Sequence, residues 1–389
     1  MKAKRKITVI IVDRANYGRL KPVLLEMRQC PAIELQIICS GTMLLDRFGM
    51  AKNVILADGF KINEEVYMEL EGSVPSSMVQ SVGVGIIQFA TALQRLKPDF
   101  VLIIGDRYEI LSAAIAAVYQ NICLIHLQGG EVTSSIDEST RHVITKMAHY
   151  HFPATTRAGK YITAMGEDGK TVFPLGCPSA DVVVEALKNI PEDNLEKMGV
   201  GVHIDFSRPY LLTIFHPITT EFEKAEDQMQ ELLGALKETG KQILMLWPNI
   251  DAGSDGISQA IRRFREFNRD VPLHVYKNFE PDIYIPILAR AACAVGNSSS
   301  FIRDASFLGV PIVLVGARQD GREWSEAVMR VDTDKKQIFV AINSQVAKGK
   351  YPASTLYGSP GVSKKIVDTI LTLTPYAQKR LHYSVIQES

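Results

Sequence analysis

The segment Ile125–Glu131 (IHLQGGE), continued by Ser135–His142 (SIDESTRH), decides the fold of this chain. Apolar residues lead into a glycine pair and an acid-rich loop, and the loop ends in a helix start where Asp137 and Glu138 precede Val143. A strand, a polar loop and a helix in this order place ligand chemistry at the carboxyl ends of the strands of an open α/β sheet. The acids and histidines of the segment suit proton transfer on a substrate. The alternative is a solvated loop before a well-capped helix.

Short β-rich runs alternate with longer helical patterns on both sides of this segment. In the first series, strands are predicted at residues 7–12, 34–39, 100–104 and 122–126, and helices at 17–28, 78–96 and 110–118. In the second series, strands are predicted at 210–214, 242–246, 273–276, 292–295 and 312–315, and helices near 221–238 and 258–267. The alternation predicts βαβ units and parallel sheets.

Two such series, joined by a looser stretch over residues 176–209, predict an α/β protein with two Rossmann-like domains that face one another across a cleft. The length of 389 residues also favours two hydrophobic cores over one. We place an N-terminal domain at residues 1–178 and a C-terminal domain at residues 179–364. We expect the last helices, over residues 365–389, to complete the N-terminal domain.

Composition excludes several classes of function. The 43 basic and 43 acidic side chains cancel, so nothing global favours nucleic acid or a membrane surface as a partner. No run approaches the roughly 18 consecutive apolar residues of a membrane span. The five cysteines are scattered without zinc spacing and mostly have apolar neighbours, which predicts buried reduced thiols in a cytoplasmic protein.

Two segments of the first series carry candidate chemistry at strand ends. Residues 13–19 close the first strand and open the first helix, and a helix amino end beside Arg14 is a natural anion site. Residues 105–109 (GDRYE) follow a later strand in the same way, so Asp106 points into the crevice reached by the opening segment. Helix capping would explain Asp106, but it would not explain the adjacent Arg107.

The second series adds a histidine and a serine-rich loop. His216 ends the first strand of this series, where a catalytic and a structural role are equally open. The loop Gly296–Ser300 (GNSSS) offers backbone N–H and hydroxyl donors to a diphosphate, although it also fits a plain Ser-capped helix. Asp304 lies one turn further along, where it can accept hydrogen bonds from a ribose diol. The pair His149 and His151 fits packing in a strand better than a metal site.

The chain resembles the hydrolysing UDP-N-acetylglucosamine 2-epimerases of sialic-acid biosynthesis over nearly its whole length. The resemblance rests on segments in the family's order: residues 14–22 (RANYGRLKP), 105–109 (GDRYE), 126–151, 175–181 (LGCPSAD), 215–220 (FHPITT), 248–253 (PNIDAG) and 296–322. It implies a GT-B-like fold and a nucleotide-sugar substrate. It also implies loss of UDP and of the carbon 2 proton, then hydration of a glycal to N-acetylmannosamine. No metal or redox cofactor is implied, and we expect a homo-oligomer, either a dimer or a tetramer.

The resemblance also assigns roles by position. The catalytic candidates are Asp106, Glu131, Asp137 and His216. The substrate-binding candidates are Arg14, Gly18, Arg107, Gln128, Asn249, Phe279, Ser298, Ser299, Asp304 and Arg318. Arg14, Arg107, His216 and the serine loop would hold the diphosphate, which gains negative charge as it leaves.

Gln128 departs from the pattern of the family, in which many members carry glutamate at this position of the His-x-Glu-Gly-Gly-Glu motif. An amide cannot exchange a proton in this role, although it can still hydrogen-bond a sugar. Either the remaining carboxylates carry the proton transfers alone or the activity is altered. Alternatives therefore stay open: a UDP- or GDP-linked diacetamido-trideoxyhexose as substrate, a glycosyltransferase of the same architecture, and a non-catalytic nucleotide-sugar-binding protein.

Overall fold

The first half of the chain forms a six-stranded parallel sheet in the order β3-β2-β1-β4-β5-β6. The computed structural model describes residues 4–72, 74–134, 136–188, 195, 199–249, 251–279 and 281–382. The strands are β1 (Arg5–Ile11), β2 (Ile33–Ser40), β3 (Glu64–Val66), β4 (Phe100–Ile104), β5 (Cys123–Leu127) and β6 (Tyr150–Phe152). The helices are α1 (Arg14–Gln29), α2 (Lys52–Ala57), α3 (Pro75–Leu96), α4 (Tyr108–Tyr119), α5 (Ile136–Met147), α6 (Thr156–Ala164) and α7 (Ser179–Ala186).

The second half forms a seven-stranded sheet in the order β13-β12-β11-β8-β9-β10-β7, in which β7 alone runs antiparallel to its neighbour. The strands are β7 (Gly199–Gly201), β8 (Tyr210–Ile214), β9 (Gln242–Leu246), β10 (Leu273–Tyr276), β11 (Cys293–Gly296), β12 (Ile312–Val315) and β13 (Val328–Val331). The helices are α8 (Ala225–Glu238), α9 (Ser254–Phe267), α10 (Pro281–Arg290), α11 (Ser299–Leu308), α12 (Lys335–Lys348) and α13 (Val362–Thr372).

Both faces of each sheet are buried, as the near-continuous apolar strands require. In β1, Ile7 and Val9 point into a core shared with α1, whereas Ile10 points into a core shared with α3 and α4. The late helix α13 joins the first of these cores, where Ile366 and Ile370 are fully buried and pack towards α1. The C-terminal helix therefore returns to the first sheet. The exact domain boundaries at residues 178 and 364 stay predictions, and residues 383–389 lie outside the described residues.

The predicted α/β class with two Rossmann-like halves is confirmed. The strands at residues 100–104, 210–214, 242–246, 273–276 and 312–315 match the predicted bounds. β3 and β7 were not predicted, because a three-residue strand with polar or glycine residues has no readable alternation. α10 was also missed, since Pro286 interrupts its helical pattern.

Several compositional expectations can now be compared with the structure. All five cysteines are unpaired, and all but Cys30 are buried. His151 contacts Glu167 at 3.2 Å as part of a buried ion-pair cluster, and the described residues contain no group of three or more potential metal ligands. Among the described helices, α3 is long and apolar enough to span a membrane by composition, with a mean hydropathy of 1.3 over 18 residues. That measure is weak evidence, because core helices of soluble proteins also meet it.

Candidate active site

A large cleft of about 840 Å³ lies between the carboxyl ends of the two sheets. The first sheet contributes residues that follow β1, β4 and β5, and the second sheet contributes residues that follow β8, β9, β10 and β11. Parallel strands within one sheet present all their carboxyl ends at the same edge, so these loops meet although they are far apart in sequence. All the predicted site residues except Glu131 line this cleft.

Asp106 is the anchor of the first half. Arg141, which is 1% exposed, donates from Nε to an Asp106 oxygen at 2.9 Å and from Nη2 to the same oxygen. Burial alone would raise the pKa of Asp106, but the attraction of Arg141 and then Arg322 lowers that pKa well below its usual range. Asp106 is therefore an ionised carboxylate.

Asp137, at the start of α5, has the opposite electrostatic environment. Burial raises the pKa of its carboxyl, and the negative charge of Asp106 raises it further. Arg318 of the second half lies 3.5 Å from Asp137 and partly opposes this rise. Two carboxyls whose pKa values move apart are the arrangement expected of an acid and a base.

Glu131 does not face the cleft. One of its carboxylate oxygens lies 2.6 Å from Arg303 and 2.9 Å from Arg322, both of which come from the second half. Burial would raise the pKa of Glu131, but these arginines lower it below its usual range. The predicted catalytic role of Glu131 is therefore not supported by direct access. Its carboxylate joins the two halves behind Asp106, and Arg141 binds its carbonyl oxygen at 2.6 Å.

Arg107 is held by carboxylates on three sides. Its Nε and Nη2 donate to the two oxygens of buried Glu109 at 3.0 and 2.9 Å. Its Nη1 donates to Asp251 at 3.3 Å, and its Nε lies 3.5 Å from Asp13. Asp251 belongs to the second half, so this contact also crosses the cleft.

His216 is fixed as a neutral imidazole. Its backbone N–H donates to the Asn297 side chain, whose amide donates back to the His216 carbonyl, each at 2.8 Å. Burial, followed by the repulsion of Arg318, lowers the pKa of His216 to about 3. Its Nδ1 accepts the N–H of Asn249 at 3.2 Å, so the neutral ring carries its hydrogen on Nε2. His216 can therefore donate a hydrogen bond without carrying a charge.

Gln128 follows β5 in the left-handed region, at φ +62°. Its Oε1 accepts from Arg19 at 3.1 Å, and its amide nitrogen donates to the thiol of Cys177 at 3.0 Å. Both ends of the amide are thus used, and the group is 1% exposed. The same position would place a glutamate carboxylate against the Arg19 guanidinium.

The predicted nucleotide end lies on the second half. Ser298 caps α11, and its Oγ accepts the N–H of Ser300 at 3.4 Å, as the capping alternative expected. Asp304 faces the cleft from the next turn, and burial raises the pKa of its carboxyl. One of its oxygens has no hydrogen-bond partner within the described part of the chain, so Asp304 retains an acceptor for a ligand. The centroid of the Phe279 ring lies 4.6 Å from the centroid of the Tyr276 ring, so the two rings form one aromatic wall of the cleft.

Several residues of the site were not predicted. Arg19, Asp251, Arg303 and Arg322 line the cleft and hold predicted residues in place. Arg303 and Arg322 lie inside the segment 296–322 that the resemblance had marked, which is the only signal that pointed to them. The structure shows a cation-rich cleft at the junction of the two halves, which suits a phosphorylated ligand.

Comparison with known proteins shows the family of this chain. The family model described as UDP-N-acetylglucosamine 2-epimerase matches residues 25–371. The UDP-N,N'-diacetylbacillosamine 2-epimerase (hydrolyzing) of Legionella pneumophila is 33% identical over 96% of this chain and 97% of its own length. The UDP-N-acetylglucosamine 2-epimerase of Neisseria meningitidis serogroup B is 28% identical over 91% of this chain and 90% of its own length.

A solved structure shows the same fold. The crystal structure of UDP-GlcNAc 2-epimerase from Neisseria meningitidis bound to UDP-GlcNAc aligns with a TM-score of 0.77 at 16% identity, over 95% of this chain and 100% of that one. The family model covers most of the chain, and the Legionella relative exceeds 30% identity along almost its full length. This chain therefore belongs to the UDP-N-acetylglucosamine 2-epimerase family.

Proposed function

We propose that this enzyme is a hydrolysing 2-epimerase whose substrate is a UDP-linked 2,4-diacetamido-trideoxyhexose. The observation that carries the proposal is the pair Asp106 and Asp137, which line one cleft with pKa values shifted in opposite directions. Inversion at carbon 2 requires a proton to leave one face of the sugar and another to arrive at the opposite face. Two carboxyls whose pKa values shift in opposite directions suit that demand.

The reaction divides into an elimination and a hydration. Ionised Asp106 accepts the proton of carbon 2, the C–H electrons form the C1–C2 double bond, and the C1–O electrons leave on the diphosphate. The binding of the diphosphate to the cleft arginines weakens their hold on Asp106, which raises the basicity of Asp106 when it is needed. Asp137, whose pKa is raised, then delivers a proton to the other face of carbon 2 as water bonds to carbon 1, and the Asp137 carboxylate so formed takes up the proton that the water loses.

The leaving diphosphate needs stabilisation as its charge grows. His216 offers a neutral N–H donor, and Arg318 offers a cation on the same side of the cleft. Preorganised donors of this kind act where water is excluded and lose no energy in reorienting. The steps proposed here use only side chains, water and the leaving diphosphate.

The identity of the sugar rests on the relatives. The Legionella relative at 33% identity is named for UDP-N,N'-diacetylbacillosamine, and the Neisseria relative at 28% is named for UDP-N-acetylglucosamine. The comparisons therefore favour the diacetamido sugar over UDP-N-acetylglucosamine, the leading expectation from sequence. Production of N-acetylmannosamine for sialic-acid synthesis becomes the second candidate, and a GDP-linked sugar remains an alternative.

Proton NMR in deuterated water tests the proposal directly. Purified enzyme is incubated, without added metal or cofactor, with UDP-N,N'-diacetylbacillosamine and separately with UDP-N-acetylglucosamine. We expect UDP together with the free 2-epimer carrying deuterium at carbon 2, and a higher kcat/KM for the diacetamido substrate.

The other outcomes are distinct. Preference for UDP-N-acetylglucosamine would restore the second candidate. Sugar released with protium at carbon 2 would contradict the elimination route. Two intact nucleotide sugars, with UDP bound tightly, would favour the non-catalytic alternative that Gln128 raises.

A further inference from the structure

Arg107, the arginine predicted to hold the diphosphate, is already paired with carboxyl groups of the protein. Arg107 contacts Glu109, Asp251 and Asp13 within 3.5 Å, so one guanidinium faces three carboxyl groups. Of these, Glu109 is fully buried behind the cleft and Asp13 caps α1 through the N–H of Asn16. Asp251 is the partner that comes from the opposite half.

Arg107 holds Asp251 more weakly than it holds Glu109. Its contact with Arg107 is a single hydrogen bond of 3.3 Å, whereas Glu109 receives a paired interaction at 2.9 and 3.0 Å. Paired contacts between an arginine and a carboxylate are the stronger kind. An incoming anion therefore displaces Asp251 from Arg107 more readily than it displaces Glu109.

We propose that Asp251 is a placeholder carboxylate, which occupies Arg107 in the empty enzyme and competes with the diphosphate of the nucleotide for that arginine. Binding then exchanges one anion for another at Arg107. The displaced Asp251 carboxylate remains in the cleft wall beside the diphosphate, and this like-charge contact weakens nucleotide binding.

The exchange of Asp251 for the diphosphate at Arg107 would help UDP to leave after each turnover. UDP is a product and must leave before the next substrate binds, and a site with unopposed cations would retain it. A carboxylate that returns to Arg107 as UDP departs lowers the affinity for the product and closes the cation network again. Asp251 thereby weakens the binding of UDP and speeds its release. Product release limits the rate of many enzymes.

The test compares UDP binding to the wild type and to Asp251→Asn by isothermal titration calorimetry. The inference rests on the proposed function, since it assumes a diphosphate ligand. We expect Asp251→Asn to bind UDP about tenfold more tightly, which corresponds to about 1.4 kcal/mol. In steady-state assays the same variant should show a lower KM, stronger inhibition by added UDP and a lower kcat.

Two further variants make the result specific. Asp251→Glu keeps the charge and should bind UDP as the wild type does. Asp282→Asn removes a charge from the same half, where Asp282 lies 3.6 Å from Lys21 and away from the cleft lining, and should leave UDP affinity unchanged. Circular dichroism and thermal unfolding check that each variant is folded.

The outcomes separate the inference from the function on which it rests. Unchanged or weaker UDP binding by folded Asp251→Asn, with normal epimerase activity in the wild type, would overturn the placeholder role alone. A raised KM for the nucleotide sugar with unchanged UDP affinity would also overturn it, because Asp251 would then contact the sugar. Failure of the wild type to bind UDP would overturn the UDP assignment and the inference together.

Discussion

Arg141 donates to one oxygen of Asp106 from two of its nitrogens and to the carbonyl oxygen of Glu131 from the third. One buried guanidinium thus joins the loop after β4 to the loop after β5. Because those loops follow neighbouring strands, the register of the sheet sets the place of Asp106 and Arg141 locks it. The chemistry of Asp106 consequently depends on a residue 35 positions later in the chain.

Replacing Arg141 with lysine should change the pH dependence of the enzyme. Lysine keeps the charge but loses the forked contact, so the depressed pKa of Asp106 rises towards its ordinary value. A carboxylate with a higher pKa loses its ionised form at higher pH. The acidic limb of the kcat/KM profile should therefore move to higher pH, and kcat/KM at neutral pH should fall about a hundredfold through misplacement of Asp106.

The matched control is Arg157→Lys. Arg157 pairs with Glu323 at 3.3 Å, outside the residues that line the cleft, and its side chain is 40% exposed. This variant should retain the wild-type profile. An acidic limb that stays in place in Arg141→Lys would show that Asp106 does not govern it.

Asp106→Asn should abolish product formation while UDP binding remains measurable. Asparagine keeps the size of the side chain and can still accept from Arg141, but it cannot take a proton from carbon 2. We expect turnover to fall at least about a thousandfold, within the roughly hundredfold to ten-thousandfold range for the loss of a general base. Product NMR and calorimetry with UDP measure the two effects separately, and near-normal turnover would remove Asp106 from the proton-transfer role.

Gln128→Glu restores the family residue and should keep or raise activity. A carboxylate at this position would pair with Arg19, which already contacts the amide oxygen at 3.1 Å. The contact with the Cys177 thiol would change direction, since a carboxylate has no hydrogen to donate and can only accept from the weakly donating S–H. A drop in kcat/KM of more than about tenfold, with unchanged thermal stability, would show that the amide itself is required.

His216 should not titrate near neutral pH. Burial lowers its pKa to about 3, so the ring is neutral above that pH and protonates only below it. The kcat/KM profile of the wild type should therefore lack an inflection between about pH 6 and pH 7, where an unperturbed histidine titrates. His216→Gln should lower kcat about a hundredfold without changing the profile. An inflection near pH 6.5 that disappears in His216→Gln would contradict a neutral hydrogen-bond donor.

The sequence predicts best those elements that carry their own signal. β4, β8 and β9 are five-residue strands buried along their whole length, and their predicted bounds equal the observed ones. β13 (VMRV) was missed because its four half-buried residues do not form an apolar run, and only pairing with β12 defines the strand. Short edge strands depend on their neighbours more than on their own residues.

The site residues also divide into those with a local sequence signal and those placed by contacts between distant segments. Asp106 and His216 lie two residues after the ends of the apolar strands β4 and β8. The strand pattern alone therefore places them at the carboxyl edge of each sheet, where the cleft lies. The pairing of Glu131 with Arg303 spans 172 positions and depends on how the two halves meet, which no local pattern encodes. The catalytic role of Glu131 stays a prediction, because its carboxylate lies against Arg303 and Arg322 and is not itself part of the cleft lining.

Gly130→Ala should destabilise the protein and displace the loop that carries Glu131. Gly130 has φ +77°, and a Cβ there would lie 2.3 Å from the Ala158 carbonyl oxygen and 2.7 Å from Ile162. Neither the helix backbone nor the buried isoleucine can yield without repacking, so the expected loss in free energy of unfolding is about 2–4 kcal/mol. Gly83→Ala is the control, because Gly83 lies in α3 with nothing within 4 Å of its added Cβ, and alanine should stabilise the helix by about 0.8–1.0 kcal/mol. Urea unfolding of both variants measures the two free energies, and equal shifts would show that the close approach of the loop after β5 to α6 does not constrain Gly130.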